Sequence, residues 1–530
     1  MNAFTGTLRH IRLFLRRERW MIFLWIGLGI LIPQSTVSSA AAFLATGGSL
    51  EEFANEMAGN PVVRALLGSV HSETLGGIVA WRSSGQMVIL FALFSILTVI
   101  RHTRAEEEAG RRELLLSAPI GKLAAPTAIL IVVCGIEAII GVLIATTLSG
   151  NGVMFSESLL MGLTMAAAGW VFAAIALLCG EWSRSSSGAR GLAFTSLGIQ
   201  LLVQMINNGN GGYTPLKWLT PMAWNRISLP FAENRWIFLL YPIVIAVLIS
   251  SCAFWFCLKR DLGSGIYQGR EPQLNKSYPR TPLALAWRQQ RGLFVSWVVA
   301  IALTGDAVGM VAASVMDVPG MDVLNQLGDY GWMNQMAGAD AFISIFVYAL
   351  CFAFPIYGIL SVQKMRVEET EQRAELLLSL PVSRNEFIQS HLVFSFGGMA
   401  VILLAFGISL GLGYGWASGE SQVWRMLITC MAKLPAIWLF TGVAVMLYGF
   451  IPKISALGSF GVLGLVAALE LLWESHFIGW EWLSLSPLAY VHYSKVFVGT
   501  FPLLATIVLT IITGILAIAG SWKFRKREII

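Results

Sequence analysis

The sequence predicts an all-α polytopic membrane protein with twelve transmembrane helices, arranged as two parallel six-helix repeats. Three observations predict it. Apolar residues make up 56% of the 530-residue chain and charged residues only 12%, too little polar character for a soluble protein of this length. Twelve apolar runs come close to the ~20 residues that a bilayer core asks of a helix. One charged motif occurs twice, 262 residues apart.

In chain order, the spans are expected near 21–44, 85–101, 126–148, 158–180, 190–207 and 236–258. A second set is expected near 293–316, 341–361, 391–414, 426–450, 454–473 and 500–521. Twelve spans put both termini on one side. The loops then assigned to the cytoplasm hold 28 Lys/Arg and the opposite side eight, so the positive-inside rule makes both termini cytoplasmic. Arg-rich residues 9–19, the apolar run from Met21 and Ser38-Ser39-Ala40-Ala41-Ala42 also fit a cleavable leader. Its loss would leave five spans against six, which the repeat argues against.

Each half opens on a basic amphipathic stretch, RHIRLFLRRERW at 9–20 and LALAWRQQRGLF at 283–294. These are expected to lie in the headgroup layer with arginines snorkelling. Before its last span each half carries a Trp-Leu followed by Pro-apolar-Ala-aromatic, WLTPMAW at 218–224 and WLSLSPLAY at 482–490. An even number of spans per half makes the repeats parallel rather than inverted. The domains are therefore 1–258, a polar Gly/Pro-rich cytoplasmic linker at 259–285, and 286–530.

The charged motif follows the second span of each half. Arg104 to Lys122 reads RAEEEAGRRELLLSAPIGK, and Arg366 to Arg384 reads RVEETEQRAELLLSLPVSR. Ten of the nineteen aligned positions are identical: Arg, two Glu, Arg, Glu, three Leu, Ser and Pro. Pro119 and Pro381 end each box, which predicts a short helix closed by a sharp turn. Within it, Glu107 with Arg111 and Glu369 with Arg373 are spaced for i,i+4 ion pairs. Glu106 and Glu113, like Glu368 and Glu375, stand two turns apart on one face, about 10 Å by the helical rise. These carboxylates are expected to face outward, toward a basic protein groove, since an anionic leaflet would repel them. The plainer alternative is a solvated interfacial helix. The chain holds no GxxxxGK[ST] phosphate loop, so any nucleotide-driven motor must be a separate chain.

The pattern E-E-x-x-x-R-x-E-L-L-L-S-x-P resembles the cytoplasmic box in the permease subunits of bacterial ABC exporters. In particular it is similar to the large double permeases of polyketide-antibiotic exporters in the type-two exporter permease superfamily. The resemblance covers essentially the whole chain. It implies two fused six-span units around one path, with ABC nucleotide-binding subunits, two copies, docked on the short coupling helices. Glu106, Glu107, Arg111 and Glu113 would contact one subunit, and Glu368, Glu369, Arg373 and Glu375 the other. No cofactor would be bound by this chain, ATP and Mg being held by the partner. The two copies depart from one another where Glu108-Ala109-Gly110 becomes Thr370-Glu371-Gln372. The resemblance also implies short re-entrant helices before the sixth span of each unit.

Ionisable groups at membrane depth are functional candidates by default. Glu137 lies in the third span and Asp306 in the seventh. Gln200, Gln204, Asn207 and Asn208 recur at three- and four-residue steps along the fifth, a polar stripe that fits either a transport path or interhelical hydrogen bonding. Pro33 to Thr36 would interrupt the first span. The six cysteines fall in or beside apolar runs without metal-ligand spacing. Two function classes remain. One is an ATP-driven exporter subunit for hydrophobic or amphiphilic compounds such as antibiotics, surrounded by lipid and binding no nucleic acid. The other is a drug:proton antiporter of the major-facilitator type with Glu137 as proton carrier, although RHTRAEEEAGRREL lacks the Gly-Asp-Arg-Gly-Arg-like signature of that class. An enzyme would show a nucleophile–base pair or metal cluster, and the sequence offers neither.

Overall fold

The computed structural model describes residues 3–45, 49–52, 67–112, 119–209, 215–260, 281–313, 338–474 and 478–528. All secondary structure among them is helical, and the chain divides into two compact units, Met1–Leu274 and Asn275–Ile530.

In the first unit α1 spans Thr7–Ala45, α2 Leu75–His102, α3 Arg104–Glu108, α4 Ala124–Gly150, α5 Phe155–Trp182 and α6 Ser186–Gly209. Short turns follow, including α7 at Asn225–Ser228, before α8 at Leu240–Lys259. Helix α5 is the hub, packed by α2, α4 and α8. It is apolar on every side and rich in alanine, the composition expected of a helix surrounded by others. Met161, Met165, Ala166, Phe172 and Ala176 are buried there. A Cβ on Gly141 would sit 2.8 Å from the Gly162 carbonyl oxygen, so α4 and α5 meet backbone to backbone, as small residues allow between membrane helices.

The second unit contains α9 (Pro282–Ala313), α10 (Gly338–Leu350), α11 (Phe354–Thr370), α12 (Arg373–Leu378), α13 (Arg384–Leu392) and α14 (Gly398–Ser418). It continues with α15 (Val423–Met431), α16 (Leu434–Phe450), α17 (Ser455–Glu474), α18 (Trp480–Leu483) and α19 (Leu503–Lys526). Here the apolar rods are segmented. Helices α10 and α11 meet at a turn before Pro355, α13 and α14 at a π-helical turn over Val393–Gly397, and α15 and α16 at a break before Pro435. Proline near a helix start and a π-bulge are the usual physical causes of such bends.

Eleven helical segments among the described residues are long and apolar enough to cross a membrane. The expected span at 190–207 is helical as α6 but is not one of them. The amides of Gln200, Gln204, Asn207 and Asn208 lower its hydropathy. The two amphipathic stretches are not separate helices, contrary to expectation. Each continues without a break into the apolar helix that follows, as α1 and α9. Thirty-nine residues make α1 about 58 Å long, nearly twice a ~30 Å hydrocarbon core, so its basic end can extend past the apolar layer without a bend. Nor does Pro33 interrupt the helix, which runs on through Thr36. Most of the expected linker, 261–280, lies outside the described residues.

Candidate functional site at the paired elbows

Each charged box forms an elbow rather than one short helix. In the second unit α11 carries Glu368 and Glu369 on its last turn, the chain reverses at Gln372 in the left-handed region (φ 58°), and α12 begins at Arg373. In the first unit α3 ends at Glu108 and Gly110 takes the same role with φ 70°. Glycine adopts that conformation without a Cβ penalty, whereas glutamine bears it. The break places Arg111 and Arg373 beside the first glutamate of each box, not the second, which corrects the i,i+4 pairing expected from an unbroken helix. Arg111 Nε donates to Glu106 Oε2 at 2.7 Å, and Arg373 Nε lies 3.6 Å from Glu368 Oε2. Glu375 is exposed on α12; Glu113 lies outside the described residues.

Glu106 and Glu368, expected to face outward, point inward instead, as do the paired Glu107 and Glu369. Glu106, Glu107, Glu368 and Glu369 are only 6–8% exposed. Among the described residues, two shared elements of the box have the same partner type in both units. The first arginine ties the loop before the fifth helix: Arg104 Nη2 donates to the Arg184 carbonyl at 2.5 Å, Arg366 Nη2 to that of Lys453 at 2.7 Å. The second glutamate grips the arginine just beyond the last helix. Arg260 Nη1 reaches Glu107 at 2.6 Å, and Arg527 Nη2 reaches Glu369 at 2.6 Å. Arg260 and Arg527 are the same residue of the repeat, in Lys-Arg-Asp at 259–261 and Lys-Arg-Glu at 526–528. That recurrence is the sequence signal for these clamps.

The surroundings differ. Glu107 is also held by Arg104 at 3.0 Å and Arg112 at 2.8 Å, and Arg260 in turn binds Glu181 at the end of α5. Burial acts against the Arg260 charge, but Glu107 and Glu181 outweigh it and hold its pKa above the ordinary arginine value. Glu106 has a second partner too, Arg17 of α1 at 2.9 Å. Glu108 accepts the backbone N–H of Ser186 at 2.8 Å, capping the start of α6. In the second unit the Arg527 guanidinium lies over the Tyr448 ring, 5.0 Å from its centroid, and 5.3 Å from that of Phe524.

The intramembrane candidates are dispersed. Glu137 is fully buried and accepts from Ser95 Oγ at 2.7 Å, and Ser95 is also 3.1 Å from the Gly169 carbonyl, so one hydroxyl links α2, α4 and α5. Asp306 is half-buried on α9, whose backbone there packs on Gly413. Gln204 donates to Asn208 at 3.2 Å; Asn207 and Asn208 are buried beside them, and the Gln200 carbonyl lies 3.3 Å from the Thr220 hydroxyl.

Fold and elbows together define an integral, multi-pass helical membrane protein, each half of which carries the same polar clamp within itself. The family model for the multidrug efflux system permease Rv1217c, C-terminal domain, matches residues 12–256 and again 280–525, and the chain belongs to that family. The multidrug efflux system permease protein Rv1217c of Mycobacterium tuberculosis (strain ATCC 25618 / H37Rv) is 33% identical over 539 residues, an alignment covering 100% of this chain and 96% of that protein. The protein is thus a plasma-membrane permease of the multidrug efflux type.

Proposed function

We propose that this chain is the membrane subunit of an ATP-driven exporter of hydrophobic or amphiphilic compounds, with twelve spans in two parallel repeats and both termini in the cytoplasm. Two separate nucleotide-binding subunits, which hold ATP and Mg, dock at the two elbows. The observation that carries this reading is the repetition of one clamp: a charged elbow whose second, buried glutamate is tied to the arginine beyond the last helix of its own unit. On α12 the docking face is Arg373, Glu375 and Leu376, the last 70% exposed; Arg111 and Glu113 supply its counterpart. The buried Glu106, Glu107, Glu368 and Glu369 serve docking indirectly. They make the elbow stiff, so a push on the short helix moves the last helix through Arg260 or Arg527.

The test is co-purification of the chain from its native membrane with an ABC-type ATP-binding subunit, together with ATP-dependent dye export from vesicles. Leu376→Glu combined with Glu375→Arg is expected to lower ATPase association from two subunits per chain to one, the subunit at the first elbow remaining, while leaving thermal stability unchanged. Undiminished association after those changes would sink the docking assignment. Export that persists without ATP and stops when the proton gradient collapses would favour the antiporter reading instead, with Glu137 as carrier.

A further inference from the structure

The first unit contains a cavity of about 300 Å³ between α2, α6 and the turn that includes α7. Trp81, Ile89, Leu201, Met222 and Leu229 give it apolar walls; Arg226, Gln204 and Asn225 are among its polar groups, with His71, Ser84 and Gln86. The size and the largely apolar wall are those of a small-molecule site. Arg226 donates to the Asn208 side-chain oxygen and to the Leu67 carbonyl. Both acceptors are neutral, and no carboxylate pairs with this guanidinium among the described residues. Burial lowers its pKa only to about 10, so it stays charged at neutral pH. Gln204 Oε1 and Asn225 Oδ1 are buried and lack hydrogen-bond partners among the described residues.

The second unit shows what is missing. Asn208 and Glu470 correspond at the offset of the charged box, and Arg226 and His492 at the Pro-to-Pro offset of the Trp-Leu strings. There the acid is built in: Glu470 accepts from Tyr348 at 2.9 Å and contacts His492 Nε2 at 3.1 Å. Trp473, Trp480 and Tyr493 close around the His492 ring. One repeat thus sets its own carboxylate against a buried histidine, whose charge burial disfavours. The other leaves a planar, bidentate donor facing a largely apolar cavity, and a ligand anion would add ion-pair attraction to the hydrogen bonds that this guanidinium now makes to neutral oxygens.

We propose that the first-unit cavity binds an amphiphile through a carboxylate or phosphate headgroup paired with Arg226, and that the second unit has no equivalent site. This stands on the first unit's geometry alone and does not depend on how export is powered. The experiment is calorimetric titration of dodecyl phosphate into the full chain in phosphatidylcholine nanodiscs. One site per chain is expected, weakened about tenfold or more by Arg226→Gln and less by Arg226→Lys, which keeps the charge but not the planar fork. Gly85→Phe should block binding with Arg226 intact, because a side chain at Gly85 points into open space beside the cavity. His492→Gln should leave binding unchanged. Competition by phosphatidylglycerol would identify the occupant as a lipid headgroup, and its failure to compete would identify a soluble amphiphile. Equal competition by dodecyltrimethylammonium or by inorganic phosphate, two equal sites per chain, or full-strength binding to correctly folded Arg226→Gln or Gly85→Phe would each overturn the proposal.

Discussion

Glu107 is gripped by three guanidinium groups in the first unit; Glu369 in the second has one, with aromatic rings beneath it. The same contrast runs along the helices. Helices α2, α4 and α5 are continuous and pinned together through Glu137 and Ser95. Their counterparts in the second unit are split at Pro355, at the π-helical turn and at Pro435, and Met399 occupies the position of Glu137 at the same offset. Duplication kept the pairwise contacts of the elbow and let the support around them diverge. The first unit is cross-linked by charge, while the second is jointed.

The largest test of that contrast is to remove each clamped carboxylate. Glu107→Gln leaves three arginines around one neutral group, a loss of about 3–5 kcal/mol for breaking a buried ion pair. Glu369→Gln removes one charged hydrogen bond, about 1.5–3 kcal/mol. Thermal unfolding of the two variants in the same detergent measures the gap, and equal shifts would break the comparison. Next, exchanging partners should separate the units. Glu369→Arg with Arg527→Glu should recover most of the wild-type melting temperature, since that pair is nearly isolated. Glu107→Arg with Arg260→Glu should not, because the new arginine faces Arg104 and Arg112.

A smaller effect is expected from Ser95→Ala, which strips Glu137 of its only described donor and should cost about 1–3 kcal/mol. Tyr357→Phe is the matching change in the second unit, and it should cost less, about 0.5–1.5 kcal/mol, because it frees the Phe394 carbonyl from a 3.0 Å hydrogen bond and leaves no buried carboxyl group without a donor. Smallest are the elbow residues themselves. Gly110→Ala should destabilise by about 1 kcal/mol, whereas Gln372→Gly should be neutral to slightly stabilising, since only the second relieves a left-handed non-glycine residue. Melting curves that moved the same way for both would show that the two elbows are not conformational equivalents.

Much of this was legible in the sequence. Composition and apolar runs were enough for a helical membrane protein, and the constant offset was enough to pair Glu106 with Glu368 and Glu107 with Glu369. The direction of those carboxylates was not legible. It depended on a helix break at Gly110 and Gln372, and glutamine gives no warning of a left-handed turn. The long α1 was misjudged because an amphipathic pattern looks the same whether its helix lies in a surface or continues into a span.

Chain order alone determined the class, the duplication and the positions of the charged boxes, because burial in lipid demands long apolar runs and duplication leaves a fixed spacing. Only the tertiary structure decided which charges meet. Arg260 and Glu107 are separated by 153 residues, and whether two such ions pair, face solvent or await a ligand depends on distances of a few ångströms. Local sequence encodes helix periodicity, but helix packing sets those distances.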